Sequence, residues 1–518
     1  MPKEEEKSNW FDVLLRWTTN IFIIVFLLSM IISIHKSMPK SHNFNVLIDK
    51  NVPHPHEIPG LYNQKKQFFR YTKLFKEFYK YDRLNIRIPK GILLTGPPGS
   101  GKTFLTKSIA AHDNINFISC CGADFSFPLV GQGKLHLQSL IQKASTMKPC
   151  IVFIDELDAI GGKRVGNFDS ASSEKSSIVM LLCTYMDGII HLPGVYFVAA
   201  TNKPEMIDDA LLRKGRFDVQ IDFTLPTRKE RNEIIQYYVS RKLQIKRKNI
   251  IDYFTENTIG YSSAETESLI NEVAIMLLDK SNRNKFIEDI IFSSKLNSEL
   301  GFTKIISQNK SDLERTLYHE VGHAIMMRLM AILGYHTNPL YISIEPRTKS
   351  LGVTVANVDE KKTSTTFNEV VASIMVRLAG HCTEEYEYPF QIKNDGNFTM
   401  GASSDFESIT NLMKIYIQTG IDKSSGMLYN MGKDLSKNQT ERINEMIKYI
   451  YKKTHLLFQN KKIQKYFIRF IDEISTKAEK EYFFDSKKLE QFVPSKSIKT
   501  ELSQFWKNEI LVTNLIYF

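Results

Sequence analysis

One stretch near the amino end carries apolar side chains with no charge among them. Residues 21–34 read IFIIVFLLSMIISI. A helix that crosses a bilayer needs about 17–25 such residues, and adding Trp17 to Asn20 brings the stretch into that range. Arg16 and Lys36 bound it, and Trp10 and Trp17 suit the boundary between membrane and water. The sequence that follows, HKSMPK, has no small-residue cleavage site. The pattern therefore predicts a retained single transmembrane helix over residues 17–35 rather than a signal peptide. No second long apolar run follows, which excludes a multi-span transporter. Residues 36–65 carry His, Pro, Asn and Lys and read as a linker. Three short, continuous apolar runs come next, at residues 92–94, 151–154 and 195–200. Uninterrupted runs of that length predict strands buried on both faces of a parallel sheet. From about residue 433 onward, Lys, Tyr, Ile and Phe recur at helical spacing, which predicts closing helices and then a tail.

The ends of the three predicted strands carry the chemistry. After the first come Gly96, Pro97, Pro98, Gly99, Ser100, Gly101, Lys102 and Thr103, which fit G-x-x-x-x-G-K-[ST], and residues 104–111 look helical. Strand, glycine-rich loop and helix in that order form a phosphate-binding loop, with backbone N–H groups and the positive helix end facing the phosphates. Lys102 would reach the β and γ phosphates of ATP, and Thr103 would hold Mg²⁺. The second strand ends in Asp155 and Glu156, assigned to the metal and to the attacking water respectively. The third ends in Thr201 and Asn202, where a polar side chain could sense the γ-phosphate. Arg213 and Arg216, three apart, suit a charge clamp on a transferring phosphoryl group, often given by a neighbouring subunit. On spacing alone, a surface salt bridge is the favoured reading of either arginine.

A second set of residues lies further on. Ser311 to Glu314 has the S-x-x-E form of a helix start, and the helix so predicted carries His319, Glu320 and His323. Two histidines four apart leave one helix face, the H-E-x-x-H geometry for Zn²⁺ with Glu320 as general base. Zinc would lower the pKa of a water, and Glu320 would take its proton as the water attacks a peptide carbonyl. Spacing alone leaves the third ligand open among His381, Glu384, Glu385 and Asp405.

At this point the sequence resembles known families. The phosphate loop, IVFIDELDAI, ATNKP and LLRKGRFD, in this order, resemble an AAA+ ATPase. Residues 227–296 resemble its helical lid, with GYSSAE from Gly260 to Glu265 and NEVA from Asn271 to Ala274. That resemblance implies a homo-hexameric ring, ATP at subunit interfaces, Asn202 as sensor, and Arg213 and Arg216 as arginine fingers. YHEVGHA, EPRTKSLGVT, LAGHCTEE and GASSDFESITN together resemble the FtsH family of membrane-anchored, ATP-dependent zinc proteases. The likeness covers about residues 53–480. It implies that Asp405 is the third zinc ligand and that Glu384 and Glu385 belong to a supporting helix. The implied fold is an α/β phosphate-loop AAA+ core over residues 66–226 with a helical lid over 227–300. A mainly α-helical zinc metalloprotease domain over 301–493 and a tail over 494–518 follow. The implied function is an ATP-dependent zinc metalloendopeptidase that unfolds and degrades membrane or misassembled proteins. The alternative is an AAA+ remodelling ATPase with an inactive peptidase domain, against which the intact His319, Glu320, His323 and Asp405 argue.

The chain departs from the family at several points. The pore-loop aromatic is Leu129, with Phe127 nearby; His136 and Gln138 stand where arginines are usual. The subunit-signalling motif is Asp187-Gly188-Ile189, and Lys214 replaces a proline. These changes bear on pulling force and subunit timing, not on the ATP or zinc chemistry. The layout is nearer to the single-span mitochondrial inner-membrane type, with a bacterial-type plasma membrane as the alternative. The start, MPKEEEK, does not read as a mitochondrial presequence. Five scattered cysteines, none in C-x-x-C, argue against a disulfide framework or a cysteine zinc site. Cys382 reads as a small buried hydrophobe. A formal charge of +11 raises nucleic acid and acidic lipid as partners. No helix-turn-helix, zinc finger or aromatic RNA-binding signature serves the first, so the excess is read as surface Lys beside anionic lipid.

Overall fold

The computed structural model describes residues 10–37, 52–84, 86, 88–127, 131–162, 170–190, 192–279, 286–301, 310–348, 350–357, 364–384, 386–387, 391–392, 403–418, 437–475, 481–483 and 486–511. Leu129 and Glu385, named above, lie outside them. Contacts divide the chain into two units, residues 1–226 with 262–264 and residues 227–261 with 265–518.

The first unit opens with helix α1 (Trp10–Ser37). Its described side chains are those of residues 17–30, and Trp17, Phe22 and Phe26 among them are exposed. No helix among the described residues is long and apolar enough to cross a membrane. Helices α2 (Tyr62–Lys76) and α3 (Phe78–Arg83) follow. Part of the stretch expected as linker is thus structured: Ile58 is buried beneath α2, and α2 itself begins at Tyr62 because Phe68 and Phe75 bury one face of it.

Strand β1 (Gly91–Thr95) feeds α4 (Lys102–His112), and β2 (Asn116–Cys121) is followed by α5 (Gln132–Thr146). Strand β3 (Cys150–Asp155), a single turn α6 (Asp158–Gly161), α7 (Ser170–Asp187), β4 (Val195–Thr201) and β5 (Val219–Asp222) complete the unit. The five strands are parallel, in the order β2-β3-β4-β1-β5. The runs predicted as strands are β1, β3 and β4, and their apolar residues divide between two cores. Leu93, Val152, Ile154, Phe197 and Ala199 pack on one face with residues of α5 and α7; Ile92, Leu94, Ile151, Phe153 and Val198 pack on the other with residues of α2 and α4. Alternate side chains of a strand point to opposite faces, so only an unbroken apolar run supplies both cores.

The second unit begins with α8 (Arg228–Lys242), α9 (Lys248–Asn257), α10 (Ser263–Leu278) and α11 (Ile287–Leu300), which share a core around Phe254, Ile270 and Ile291. Thr227 and Glu230 start α8 with a reciprocal capping box. Then come α12 (Lys310–Leu333), β6 (Pro339–Ser343), β7 (Val353–Ala356) and α13 (Phe367–Glu384). Helix α12 starts at Lys310, so Ser311 lies within it rather than before it. The short strands β8 (Tyr386–Glu387) and β9 (Gln391–Ile392) precede α14 (Ser403–Gln418), α15 (Lys437–Phe458) and α16 (Lys461–Ser475). Strand β10 (Glu481–Phe483), α17 (Ser486–Phe492) and α18 (Ser495–Phe505) follow, and a π turn (Trp506–Leu511) closes the described chain.

Helix α12 lies at the centre of the largest core, with Val321, Ile325 and Leu329 buried against Ile374, Met375 and Leu378 of α13. Cys382 is buried in the same core. Residues 495–511, expected as a tail, are part of it: Ile498, Leu502, Trp506 and Ile510 are all buried there. A three-stranded sheet in the order β10-β6-β7 packs beside α12, with β6 antiparallel to both neighbours.

Candidate nucleotide and metal sites

The phosphate loop joins β1 to α4. Gly96, Gly99 and Gly101 hold φ of +142°, +71° and +93°, which side chains other than glycine rarely adopt. Space is as restrictive as torsion at Gly96, where a Cβ would lie 2.0 Å from the Phe223 carbonyl oxygen. The Lys102 ammonium donates to the carbonyls of Gly96 and Pro97 and to Asn202 Oδ1, each at 2.8 Å. Burial lowers its pKa, and Asp155 opposes that in part. Thr103 Oγ1 donates to Asp155 Oδ2 at 2.8 Å, so a hydroxyl and a carboxylate meet beside the loop. Such a pair is the oxygen donor set that Mg²⁺ takes. Glu156, one residue on, holds φ +51°, and Cys121 Sγ lies 3.6 Å from its Oε2. The structure thus brings the loop, Asp155, Glu156 and Asn202 to one end of the sheet. The arginines are placed differently. Arg213 is exposed, and Arg216 forks onto Asp187 with Nε and Nη2 at 2.9 and 2.8 Å and donates to the Ala210 carbonyl.

The metal site is built from three helices. His319 and His323 leave one face of α12, with Nε2 atoms 3.0 Å apart. Asp405, in the first turn of α14, places Oδ2 3.3 Å from the first and 3.4 Å from the second. The far side of each ring is tied to α13. His319 Nδ1 lies 2.6 Å from Glu384 Oε1, and His323 Nδ1 lies 2.7 Å from the Val376 carbonyl. Both Nδ1 atoms are thereby donors, which turns both Nε2 lone pairs toward Asp405. Two ring nitrogens and a carboxylate this close need a positive charge among them, either a proton on one ring or a metal ion. On a tetrahedral zinc with Zn–N of about 2.0–2.1 Å, two nitrogens stand about 3.3 Å apart, close to the spacing seen. His319, His323 and Asp405 therefore fit zinc.

The alternatives for the third ligand are placed elsewhere. Glu384 supports His319 from behind, and His381 lies against Phe406 and Tyr451.

Charges in the site follow from this packing. Burial lowers the His319 pKa, but hydrogen bonds to Asp405 and Glu384 outweigh it and push it up to about 10. Burial acts to raise Asp405, yet the two histidines hold it well below the usual carboxylate range. Burial raises Glu320, and His323, His319 and the Thr354 hydroxyl pull it partly back. At neutral pH the metal-free cluster therefore keeps a proton on His319, and zinc must displace it. Zinc binding at pH 7 is expected to release close to one proton. Affinity should rise with pH toward about 10, which calorimetry in buffers of different ionisation enthalpy would show.

Comparison with known proteins gives two family matches in the same order. Residues 92–225 match the ATPase family associated with various cellular activities (AAA), and residues 305–491 match peptidase family M41. The chain is 33% identical over 387 residues to the ATP-dependent zinc metalloprotease FtsH 2 of Alkaliphilus metalliredigens, covering 73% of this chain and 53% of that protein. It is 35% identical over 358 residues to FtsH of Parabacteroides distasonis, with 68% and 50% covered. The ATP-dependent zinc metalloprotease YME1L1 of Rattus norvegicus is 31% identical over 415 residues, with 78% and 55% covered. The chain belongs to the FtsH family. It spans about half the length of these curated relatives.

In this FtsH-family chain, α13 supplies features that single motifs do not show. Val376, Gly380 and Glu384 are spaced four apart and form one stripe, which lies against His319 and His323. A Cβ on Gly380 would stand 2.6 Å from His323 Nε2 and 2.7 Å from His319 Nε2. Gly380→Ala is therefore expected to push both rings aside and to lose most bound zinc while the chain stays folded. Elemental analysis of the purified variant, with circular dichroism as the control, checks this. The spacing was a usable signal, but only once α12 was known to be its partner.

Proposed function

We propose that this chain is an ATP-dependent zinc endopeptidase that acts on unfolded or membrane proteins. The observation that carries the reading is the pair of Nε2 atoms turned onto Asp405, with Glu320 next to one of them, in a chain that also holds a complete phosphate loop. His319, His323 and Asp405 would hold zinc, which when bound supplies a Lewis acid for water and for the scissile carbonyl. Glu320 takes the proton of the attacking water and returns it to the leaving amine. His319 and His323 are kept in one tautomer by Glu384 and by the Val376 carbonyl.

Gly96 to Thr103 would cradle ATP, and Thr103 and Asp155 would hold its Mg²⁺; the bound nucleotide supplies the phosphoryl group whose loss drives movement. Glu156 orients the attacking water, and Asn202 reports on the γ-phosphate. Arg213 and Arg216 act as fingers toward a neighbouring copy in a homo-hexameric ring, for which Arg216 must leave Asp187. The exposed apolar side chains of residues 17–30 support an anchor over residues 17–35, in contact with lipid. A mitochondrial-type inner membrane is the first location to test and a bacterial-type plasma membrane the second.

The full chain in lipid nanodiscs, given zinc and ATP, is expected to cleave an unfolded fluorescent protein into peptides. A chain that turns over ATP and leaves the protein intact, under conditions where the relative from Rattus norvegicus degrades it, would overturn the reading.

A further inference from the structure

We propose that Thr354 is a positioning residue that holds the Glu320 carboxylate in one rotamer; this rests on Glu320 being the general base. Glu320 lies on α12, but its carboxylate is held by β7. Thr354 Oγ1 is 2.5 Å from Glu320 Oε2 and 2.9 Å from the Glu320 carbonyl oxygen. An O···O distance of 2.5 Å is at the short end of hydrogen bonds to a charged oxygen. The other carboxylate oxygen is fitted by the same segment. A Cβ on Gly352 would lie 2.7 Å from Glu320 Oε1 and 2.9 Å from its Cγ, so a missing side chain makes the space that Oε1 occupies. The hydroxyl is itself fixed by the sheet, because Thr354 pairs with Ile342 of β6 and Ile342 is buried in the core.

The geometry gives the contact its function. One side of the carboxylate meets the Thr354 hydroxyl and the other fits the space left by Gly352, so β7 and the residues before it leave the side chain one position. The same hydroxyl lies within reach of the Glu320 carbonyl, which ties it to the helix that carries the carboxylate.

Thr354→Val and Thr354→Ser test this in the full chain. Valine keeps the branched shape that suits a strand and puts a methyl, which can neither donate nor sit so close to Oε2, where the hydroxyl stood; serine keeps the hydroxyl. Thr354→Val is expected to lower kcat for peptide cleavage by about 10²-fold, with KM, zinc content and ATP turnover unchanged. Thr354→Ser should stay within about threefold of the parent chain. In crystals, the Glu320 side chain should occupy one rotamer in the parent chain and in Thr354→Ser and more than one in Thr354→Val. The proposal is overturned if Thr354→Val cleaves at the parent rate, if serine is as impaired as valine, or if Glu320 stays in place without the hydroxyl. Should the parent chain cleave nothing, the peptidase reading fails, and the rotamer comparison still decides the role of Thr354.

Discussion

Glu320→Gln is expected to lower cleavage of an unfolded protein by about 10²–10⁴-fold while zinc content and ATP turnover stay at the level of the parent chain. The reasoning is chemical rather than steric. Glutamine has the same shape and can still bond to Thr354, so the packing between α12 and β7 is kept. Its amide cannot take a proton from water. The ligands are untouched, since both Nε2 atoms and Asp405 Oδ2 face one another without help from Glu320. Cleavage is read from release of a quenched fluorophore, zinc by elemental analysis, and ATP turnover by phosphate release. Loss of ATP turnover together with cleavage would contradict the division of work between the two units.

The second large effect lies at the other site. Glu156→Gln should reduce ATP hydrolysis by about 10²-fold or more while ATP stays bound. Glu156 sits one residue beyond β3 in a left-handed conformation, and its N–H donates to Asp155 Oδ1 at 3.0 Å. The groups assigned to the phosphates and Mg²⁺, Lys102, Thr103 and Asp155, keep their own bonds in the variant. A fluorescent nucleotide should therefore bind as before and dissociate unchanged. Degradation of a folded substrate, which needs ATP-driven unfolding, should stop, while a short peptide that needs no unfolding is still cut. A variant that no longer binds nucleotide would show that Glu156 serves the loop's structure instead.

Much of this was legible because the chemistry is local in sequence. Gly96 to Thr103 and His319 to His323 each lie within eight residues, and a strand tip or one helix face suffices to arrange them. The two-faced strands were legible for a related reason, since burial on both sides leaves no polar position in Ile151 to Ile154. The harder parts depend on which elements meet. Thr354 stands 34 residues beyond Glu320 on a four-residue strand whose pattern, Val-Thr-Val-Ala, is too short to announce a sheet. Glu384 was one of several acids that could ligate or support, and only the antiparallel packing of α13 on α12 separates those roles. Residues 495–511 read as a tail although Ile498, Leu502, Trp506 and Ile510 recur at helical spacing, because that spacing does not say which core the face meets; they are buried in the same core as α12.

The stripe on α13 has a consequence for how this stretch of chain can change over generations. Val376, Gly380 and Glu384 serve the two histidines only because they recur at one helical turn. One residue inserted between Val376 and Glu384 would rotate everything beyond it by about 100° and carry Glu384 off His319. Substitutions on the other sides of that turn leave the alignment intact. Apart from Gly380, Glu384 and its buried core positions, the segment from 376 to 384 is therefore open to changes of letter but closed to changes of length, and an insertion or deletion inside it would mark a descendant that has given up its metal.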